Sequence, residues 1–132
     1  MEFLPIFLAA CDRHVLIVGD GQMADAKCRG ILKTSACVTV FADNPSEQAL
    51  AWARSGDIEL RAGLPESSDC TGGALVYAAH HSDQVNDQIA VSARDKGALV
   101  NVLDRTDACD FIIPAIVDRD PVVVAIGTEG SA

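Results

Sequence analysis

The chain alternates short, uninterrupted apolar runs with polar stretches in which an apolar residue recurs every three or four positions. Apolar runs of this length predict β-strands buried on both faces, as in a parallel sheet, and the spaced pattern predicts helices packed against that sheet. We expect strands at residues 15–18, 37–41, 58–62, 74–79 and 98–103. Helices are expected at 23–33, between Ser46 and Gly56, and between Ser82 and Gly97, where the serines can cap and the glycines can end a helix.

The regular alternation of strands and helices predicts the fold class. Because short crossovers between parallel strands are right-handed, we expect an α/β fold with a Rossmann-like doubly wound parallel sheet. Two further apolar runs at 111–117 and 121–127 surround a short polar turn and predict a C-terminal β-hairpin. We therefore divide the chain into a nucleotide-binding domain at 1–110 and the start of a second region at 111–132. The N-terminal residues 1–11 are expected to form an edge strand.

The turn after the first strand carries the sequence Gly19-x-Gly21-x-x-Ala24. In a dinucleotide site of this kind the first glycine permits the tight turn, the second lets the backbone approach a pyrophosphate, and the small third residue lets the helix pack on the sheet. The amides at the helix start then bind the anion. The alternative is an ordinary strand-to-helix turn that happens to contain glycine.

Asp43 follows the next strand, 22 residues after Gly21, where a carboxylate can accept hydrogen bonds from an adenosine ribose. A negative charge there repels the additional phosphate of NADP, and no lysine or arginine lies between Lys33 and Arg54 to offset it. The sequence therefore predicts NAD as the cofactor. Alternatively, Asp43, Asn44 and the proline after them only form a turn before the helix.

Composition and charge exclude several classes of partner. The formal charge of −9, from 19 acidic against 10 basic residues, argues against binding to nucleic acid or to an anionic membrane. No apolar run is long enough to span a membrane. Five cysteines form no C-x-x-C pair and no zinc-ligand spacing, so we expect no metal site and buried, reduced thiols in a cytoplasmic protein.

Ligands of doubly wound sheets lie beyond the carboxyl ends of the strands, so we expect the glycine turn, Asp43, residues 79–82 and Asp104 to share one cleft. A carboxylate at position 104, beside the nicotinamide, can accept the proton that is lost as a hydride leaves the substrate. Asp104 is therefore the candidate catalytic residue. The alternative is that it only caps the turn that follows.

Four motifs together resemble a specific family. Leu4–Phe7, Val15–Ala24 with Lys27, Asn101–Asp104, and Phe111–Arg119 are similar to the N-terminal part of siroheme synthases, the precorrin-2 dehydrogenase and sirohydrochlorin ferrochelatase module. The similarity spans nearly the whole chain. The Asn-Val-x-Asp motif followed by Phe-Ile-x-Pro is more specific than the glycine pattern.

The resemblance implies NAD-dependent oxidation of precorrin-2 to sirohydrochlorin, then insertion of ferrous iron to give siroheme, with Asp104 serving both steps. It implies a homodimer, and the sequence stops before the family's helical dimerisation region. By motif, the backbone amides of Gln22 and Met23 contact the cofactor, together with Asp43 and Asn44.

Asn101 and Thr128 fall on positions that the family associates with the tetrapyrrole, although a buried asparagine can also serve only to satisfy backbone groups. His80 and His81 replace the residues usual in the family after the fourth strand. His80 is a candidate to hydrogen-bond substrate carboxylates or to assist a metal, since neutral imidazole is a good ligand for iron. Two adjacent histidines on an exposed loop, with no third ligand nearby in sequence, more often have no such role.

A second class of function remains open. A regulatory domain that senses NAD and NADH without catalysis would use the same glycine turn. Such a sensor would not require the motifs at Asn101–Asp104 and Phe111–Arg119. A dehydrogenase with a Tyr-x-x-x-Lys pair is excluded, because the single tyrosine, Tyr77, lies in an apolar strand.

Overall fold

The computed structural model describes residues 1–72 and 74–128. Five parallel strands form one sheet in the order β3-β2-β1-β4-β5. The strands are β1 (His14–Val18), β2 (Cys37–Phe41), β3 (Glu59–Arg61), β4 (Leu75–Ala78) and β5 (Leu99–Val102), and the helices are α1 (Gln22–Ile31), α2 (Glu47–Arg54) and α3 (Asp83–Asp95). The predicted doubly wound α/β fold is confirmed. The last residues of the predicted second region, 129–132, lie outside the described residues, and the division at residue 110 stays a prediction.

An apolar layer covers each face of the sheet, because successive side chains of a strand point to opposite faces. On one face, side chains of β1, β4 and β5 pack against Ile89 and Ala93 of α3. On the other face, side chains of β1 and β2 pack against Ala24 and Cys28 of α1 and against Trp52 of α2. Burying one Val, Leu or Ile side chain contributes about 1.5–3 kcal/mol, so these layers fix the positions of the loops at the strand ends.

Both predicted serine caps are confirmed. The Ser46 hydroxyl accepts a hydrogen bond from the Ala49 amide at 3.0 Å, and the Ser82 hydroxyl accepts one from the Val85 amide at 3.3 Å. Each cap satisfies one amide that has no partner within the helix, which contributes about 1 kcal/mol. The caps fix where α2 and α3 begin, immediately after the loops that follow β2 and β4.

The expected N-terminal edge strand is wrong, since residues 1–13 contain no strand. Pro5 lacks an amide hydrogen and interrupts any pairing ladder. The free side of β5 is already used, because the Asp110 amide donates to the Val100 carbonyl at 2.7 Å and the Val100 amide donates to the Asp110 carboxylate at 2.9 Å. The N-terminal segment therefore leaves Leu4, Phe7 and their apolar neighbours exposed.

The expectation of buried cysteines holds only in part. All five thiols are free, and Cys28 and Cys70 are buried. Cys11 and Cys37, however, are exposed. Cys11 lies in the irregular N-terminal segment, and Cys37 occupies the first position of β2, before the strand enters the region covered by helices. Position in an apolar run therefore did not guarantee burial.

A C-terminal hairpin is present, as predicted, but its first strand is shorter. β6 (Ala115–Arg119) and β7 (Val122–Ile126) pair antiparallel, with Val117 opposite Val124. Residues 111–114, expected to belong to the first strand, lie outside it. Every residue of β6 and β7 is exposed. The hairpin thus presents apolar side chains on both of its faces.

Candidate functional site

The centre of the candidate site is the point where strand order reverses, between β1 and β4. Gly19 directly follows β1 with a φ of +147°, and its amide donates to the Phe41 carbonyl at 3.0 Å. A Cβ at position 19 would lie 2.4 Å from the Ala79 carbonyl oxygen. Only glycine fits this turn, because both its backbone angle and the space around it exclude a side chain. Crevices at such reversal points are where doubly wound sheets bind ligands.

The first turn of α1 faces this crevice with unpaired backbone donors. Gly21 is the N-cap of α1 and provides no side-chain cap, and a Cβ at position 21 would meet nothing within 4 Å. The first hydrogen bond of the helix runs from the Asp25 amide to the Gly21 carbonyl. The amides of Gln22, Met23 and Ala24 therefore have no helical partner, which makes this turn a cradle for an anionic group such as a diphosphate.

Asp43 lies at the same edge of the sheet, two residues beyond β2. One of its carboxylate oxygens accepts a hydrogen bond from the Gly63 amide at 2.8 Å. This bond fixes the carboxylate between the loop after β2 and the loop after β3. The second oxygen retains its capacity to accept from a ribose hydroxyl. Asp43 thus orders a loop and is exposed at this edge of the sheet, and its contact with a ribose stays a prediction.

Asp20 is a member of the glycine turn that the sequence interpretation overlooked. Its carboxylate accepts a hydrogen bond from the Asn44 amide at 3.3 Å and so joins the turn after β1 to the loop after β2. This hydrogen bond turns the Asp20 carboxylate toward the Asp43–Asn44 loop, although Asp20 lies next to the backbone amides that suit an anion. The sequence signal that could have identified Asp20 is its place as an acid between the two glycines of the turn.

Asp104 follows β5 at the same edge, as predicted. The Leu103 amide donates to the Ala78 carbonyl at 3.0 Å, which holds the end of β5 against β4. Asp104 is exposed and adopts a left-handed backbone with φ of +59°, a conformation that aspartate and asparagine tolerate better than most residues. The sharp turn presents the carboxylate beyond the strand rather than within the sheet.

Asn101 is buried behind Asp104, with 6% of its surface exposed. Its side-chain amide donates to the Phe111 carbonyl at 3.0 Å, and its side-chain oxygen accepts from Lys27 Nζ at 3.3 Å. Both ends of the side chain are therefore engaged within the protein. This arrangement favours a role in positioning the loop over direct contact with a ligand.

Lys27 and Tyr77 complete this part of the site. Lys27 Nζ lies 5.7 Å from the centre of the Tyr77 ring, and that ring meets Phe111 edge-on at a centroid distance of 5.4 Å. Burial lowers the pKa of Lys27, while electrostatic interaction with Cys109 and Asp104 acts in the opposite direction. Burial raises the pKa of Tyr77 to about 12, so its hydroxyl stays protonated at neutral pH. The sequence pattern gave no sign of the contact between Lys27 and Asn101, 74 positions apart.

His80 lies on the β4 side of the crevice, directly after Ala79. Its backbone is held by the buried Asn86 side chain, which donates to the His80 carbonyl at 2.9 Å and accepts from the His80 amide at 3.0 Å. His80 Nδ1 accepts from the Ser82 amide at 3.0 Å, so the neutral ring carries its hydrogen on Nε2. The His81 ring stacks on the His80 ring at 4.1 Å. The neutral His80 ring can therefore donate one hydrogen bond, from Nε2.

The remaining expectations concern Thr128, metals and membranes. Thr128 is exposed and follows the hairpin, two residues beyond the end of β7. Across residues 1–72 and 74–128, no three His, Cys, Asp or Glu side chains converge as metal ligands. None of the helices that the structure describes has the length and apolar character needed to cross a membrane.

The fold and this site define a dinucleotide-binding domain of the Rossmann class, because the cradle at Gly19–Ala24 and the acid Asp43 occupy the positions where such domains hold a diphosphate and a ribose. A family model described as "Putative NAD(P)-binding" matches residues 6–115. The chain belongs to this NAD(P)-binding family.

Individual relatives and a solved structure add detail. The chain is 43% identical to siroheme synthase of Methylococcus capsulatus and 39% identical to siroheme synthase of Pseudoalteromonas atlantica, in each case over its whole length. It spans only 28% and 29% of the length of those proteins. It is also similar to the structure of SirC, precorrin-2 dehydrogenase, with a TM-score of 0.79 and 26% identity, over 98% of this chain and 64% of that chain.

Proposed function

We propose that this chain is the NAD-dependent dehydrogenase module that oxidises precorrin-2 to sirohydrochlorin in siroheme biosynthesis. The observation that carries the proposal is the arrangement of the glycine cradle, Asp43 and Asp104 along one edge of a sheet similar to that of SirC. The siroheme synthases that match along the whole chain support the same pathway.

The surroundings of Asp43 favour NAD over NADP. Arg61 lies in β3, the strand beside β2, where it pairs with Phe41 two residues before Asp43. Its guanidinium is engaged elsewhere, in an ion pair with Asp69 at 3.0 Å and over the Phe41 ring at 4.9 Å. The 2′-phosphate of NADP would therefore lie beside the negative charge of Asp43, with the Arg61 guanidinium already engaged. This arrangement disfavours NADP.

In the proposed reaction, bound NAD supplies the hydride acceptor. Precorrin-2 loses a hydride and a proton, so the products are sirohydrochlorin, NADH and one proton. The Asp104 carboxylate accepts that proton and releases it to solvent, since the residue is exposed. Asn101 and Phe111 hold the loop that carries Asp104, and the His80 Nε2 hydrogen donates to a carboxylate of the tetrapyrrole.

Three further elements belong to the proposal. Asp104 assists the removal of pyrrole protons when ferrous iron enters sirohydrochlorin, with the tetrapyrrole nitrogens as the metal ligands. The protein acts as a homodimer, which covers the apolar hairpin β6–β7. It works in the cytoplasm, where the five free thiols stay reduced.

The test of the dehydrogenase proposal is a turnover assay of the purified chain with NAD and precorrin-2, followed by the absorbance of NADH and sirohydrochlorin. Asp104→Asn is the informative variant, because asparagine also tolerates the left-handed backbone at position 104 and an alanine would add strain. We expect loss of a general base to slow turnover by roughly 10²–10⁴-fold with NAD affinity unchanged.

Asp107→Asn is a matched control, since Asp107 is an exposed acid on the same loop. It should retain wild-type turnover. Wild-type turnover by Asp104→Asn would show that another group accepts the proton. NAD binding without any consumption of precorrin-2 by the wild-type chain would instead favour the sensor.

A further inference from the structure

Lys27 is a half-buried charged residue on the helix that begins at the phosphate cradle. Its position is six residues beyond Gly21, about 9 Å along the axis of α1 at 1.5 Å per residue. The guanidinium groups of Arg61, Arg94 and Arg105 each contact a carboxylate at the surface. The ammonium group of Lys27 instead donates to the neutral Asn101 side chain.

The contacts continue from Lys27 to the loop that carries Asp104. Asn101 receives Lys27 Nζ at 3.3 Å on one side and donates to the Phe111 carbonyl at 3.0 Å on the other. Because Asn101 is buried, neither bond is easily replaced by water. Phe111 also packs edge-on against Tyr77, the ring beneath the Lys27 ammonium. One continuous set of contacts therefore joins α1 to the end of this loop.

The loop from Leu103 to Phe111 is held at both ends and also along its length, where the Arg105 guanidinium pairs with Asp87 of α3 and the Cys109 thiol donates to the Val102 carbonyl at 3.3 Å. At its start the Leu103 amide binds the Ala78 carbonyl, and near its end Asp110 and Phe111 return to β5. Asp104 lies in the exposed part between these points. Because these contacts hold the loop as one unit, we expect a change in the position of Phe111 to reach the Asp104 turn.

Resting on the dehydrogenase function proposed above, we propose that Lys27 is a positioning residue that couples cofactor binding at the start of α1 to the Asp104 loop through Asn101 and Phe111. A dinucleotide held by the first turn of α1 restrains the helix. Lys27 passes that restraint to Asn101, and Asn101 passes it to the loop. The carboxylate is thereby fixed when the hydride acceptor is in place.

The test uses hydrogen exchange of the backbone amides from Arg105 to Phe111 in the full chain, with and without NAD. Wild-type protein should show exchange about tenfold slower in this segment when NAD is bound. Lys27→Met, which keeps the length of the side chain and removes the ammonium, should lose this NAD-dependent protection and still bind NAD with wild-type affinity. Lys27→Arg should restore part of it. Lys33→Met, at an exposed lysine just after α1, should behave as wild type.

A double-mutant cycle separates coupling from simple loss of packing. If Lys27 acts through Asn101, adding Lys27→Met to Asn101→Ala should cause no further loss of the NAD-dependent protection of this segment. In turnover, Lys27→Met should lower kcat by about tenfold and leave the KM for NAD unchanged, since a positioning contact acts on the reacting geometry.

Undiminished NAD-dependent protection in Lys27→Met, or none in the wild-type chain, would overturn the coupling. These results do not depend on turnover. Absence of precorrin-2 oxidation by wild-type and Lys33→Met proteins, with the coupling intact, would contradict the dehydrogenase proposal and leave the Lys27 contact standing.

Discussion

At the scale of single residues, the site depends on positions where the backbone or the space around it permits only certain residue types. Gly19 is required because a Cβ would overlap the Ala79 carbonyl oxygen. Asp104 is suited to its place because its backbone is left-handed. The sequence pattern identified both positions. It did not identify the contacts of Lys27 and Asn86, because a side chain's long-range partner is not encoded in local spacing.

Gly19→Ala tests the cradle. The added methyl group combines a disallowed backbone angle with a 2.4 Å contact, so we expect the free energy of unfolding to fall by about 2–4 kcal/mol and NAD binding to be lost. Urea denaturation and calorimetric titration with NAD measure the two effects. Gly30→Ala is the control, since that glycine is helical with open space around it, and stability should rise by about 0.5–1 kcal/mol. A Gly19→Ala protein as stable as wild type would contradict the geometry of the turn.

The cysteines give a second prediction at this scale. Exposed Cys11 and Cys37 should react rapidly with a thiol reagent at neutral pH, whereas buried Cys28 should react only on unfolding. Two fast thiols, shown by mass spectrometry to be Cys11 and Cys37, are the expected result. Rapid labelling of Cys28 in the native protein would contradict the packing of α1 on the sheet.

Burial also makes stability depend on pH through Cys28. Its pKa is raised from 9.0 to about 11 by burial, followed by the charge of Asp25. The unfolded chain therefore loses this proton first, and the free energy of unfolding falls as pH rises from 9.0 to about 11. Burial lowers the pKa of Lys27, so this residue makes the free energy of unfolding change with pH in the opposite direction. The contribution of Cys28 is therefore measured as the difference between the pH profiles of the wild-type protein and a Cys28 variant.

Cys28→Ala should show a weaker decline over this pH range than the wild-type protein, and Cys37→Ala, which changes an exposed thiol, should keep the wild-type decline. Denaturation curves at several pH values measure it. Parallel pH profiles for wild type and Cys28→Ala would show that the thiol does not contribute.

At the scale of elements, apolar runs and caps predicted the strands and helices closely. The runs of β1 and β2 and the caps Ser46 and Ser82 specify local structure by themselves, because burial on both faces and amide capping are local requirements. The N-terminal segment could not be predicted in the same way. Whether an apolar run joins a sheet depends on distant parts of the chain, such as Asp110, which already binds Val100 on the outer side of the edge strand β5.

The hairpin gives the prediction at this scale. Val124 lies opposite Val117, and both are exposed apolar residues on a ribbon that the proposed homodimer covers. Val124→Asp should convert a dimer to a monomer without changing NAD affinity, because a buried charge without a partner destabilises an interface. Light scattering measures the mass. Val91→Asp is the control, since Val91 is a 71% exposed apolar residue of α3. A wild-type monomer, or a dimer that persists in Val124→Asp, would contradict this use of the hairpin.

At the scale of the whole molecule, the parallel sheet explains why residues far apart in sequence share a site. The order β3-β2-β1-β4-β5 brings Asp43, Gly19, His80 and Asp104 to the carboxyl edge of neighbouring strands. That convergence was predictable, because it follows from fold class alone. The residues at this edge of the sheet place the chain in the dinucleotide-binding class. The tetrapyrrole chemistry is a proposal, because the chain spans 28% and 29% of the length of the two siroheme synthases compared.

The central claim is that backbone amides at the start of α1 bind the diphosphate of NAD while Asp43 binds a ribose. Titration of isotope-labelled protein with NAD, followed through backbone amide resonances, tests it most directly. We predict saturating shifts at Gly21–Ala24 and at Asp43–Asn44, with the resonances of β7 unchanged. Shifts confined to other surfaces, with the Gly21–Ala24 amides unmoved at saturating NAD, would contradict the account.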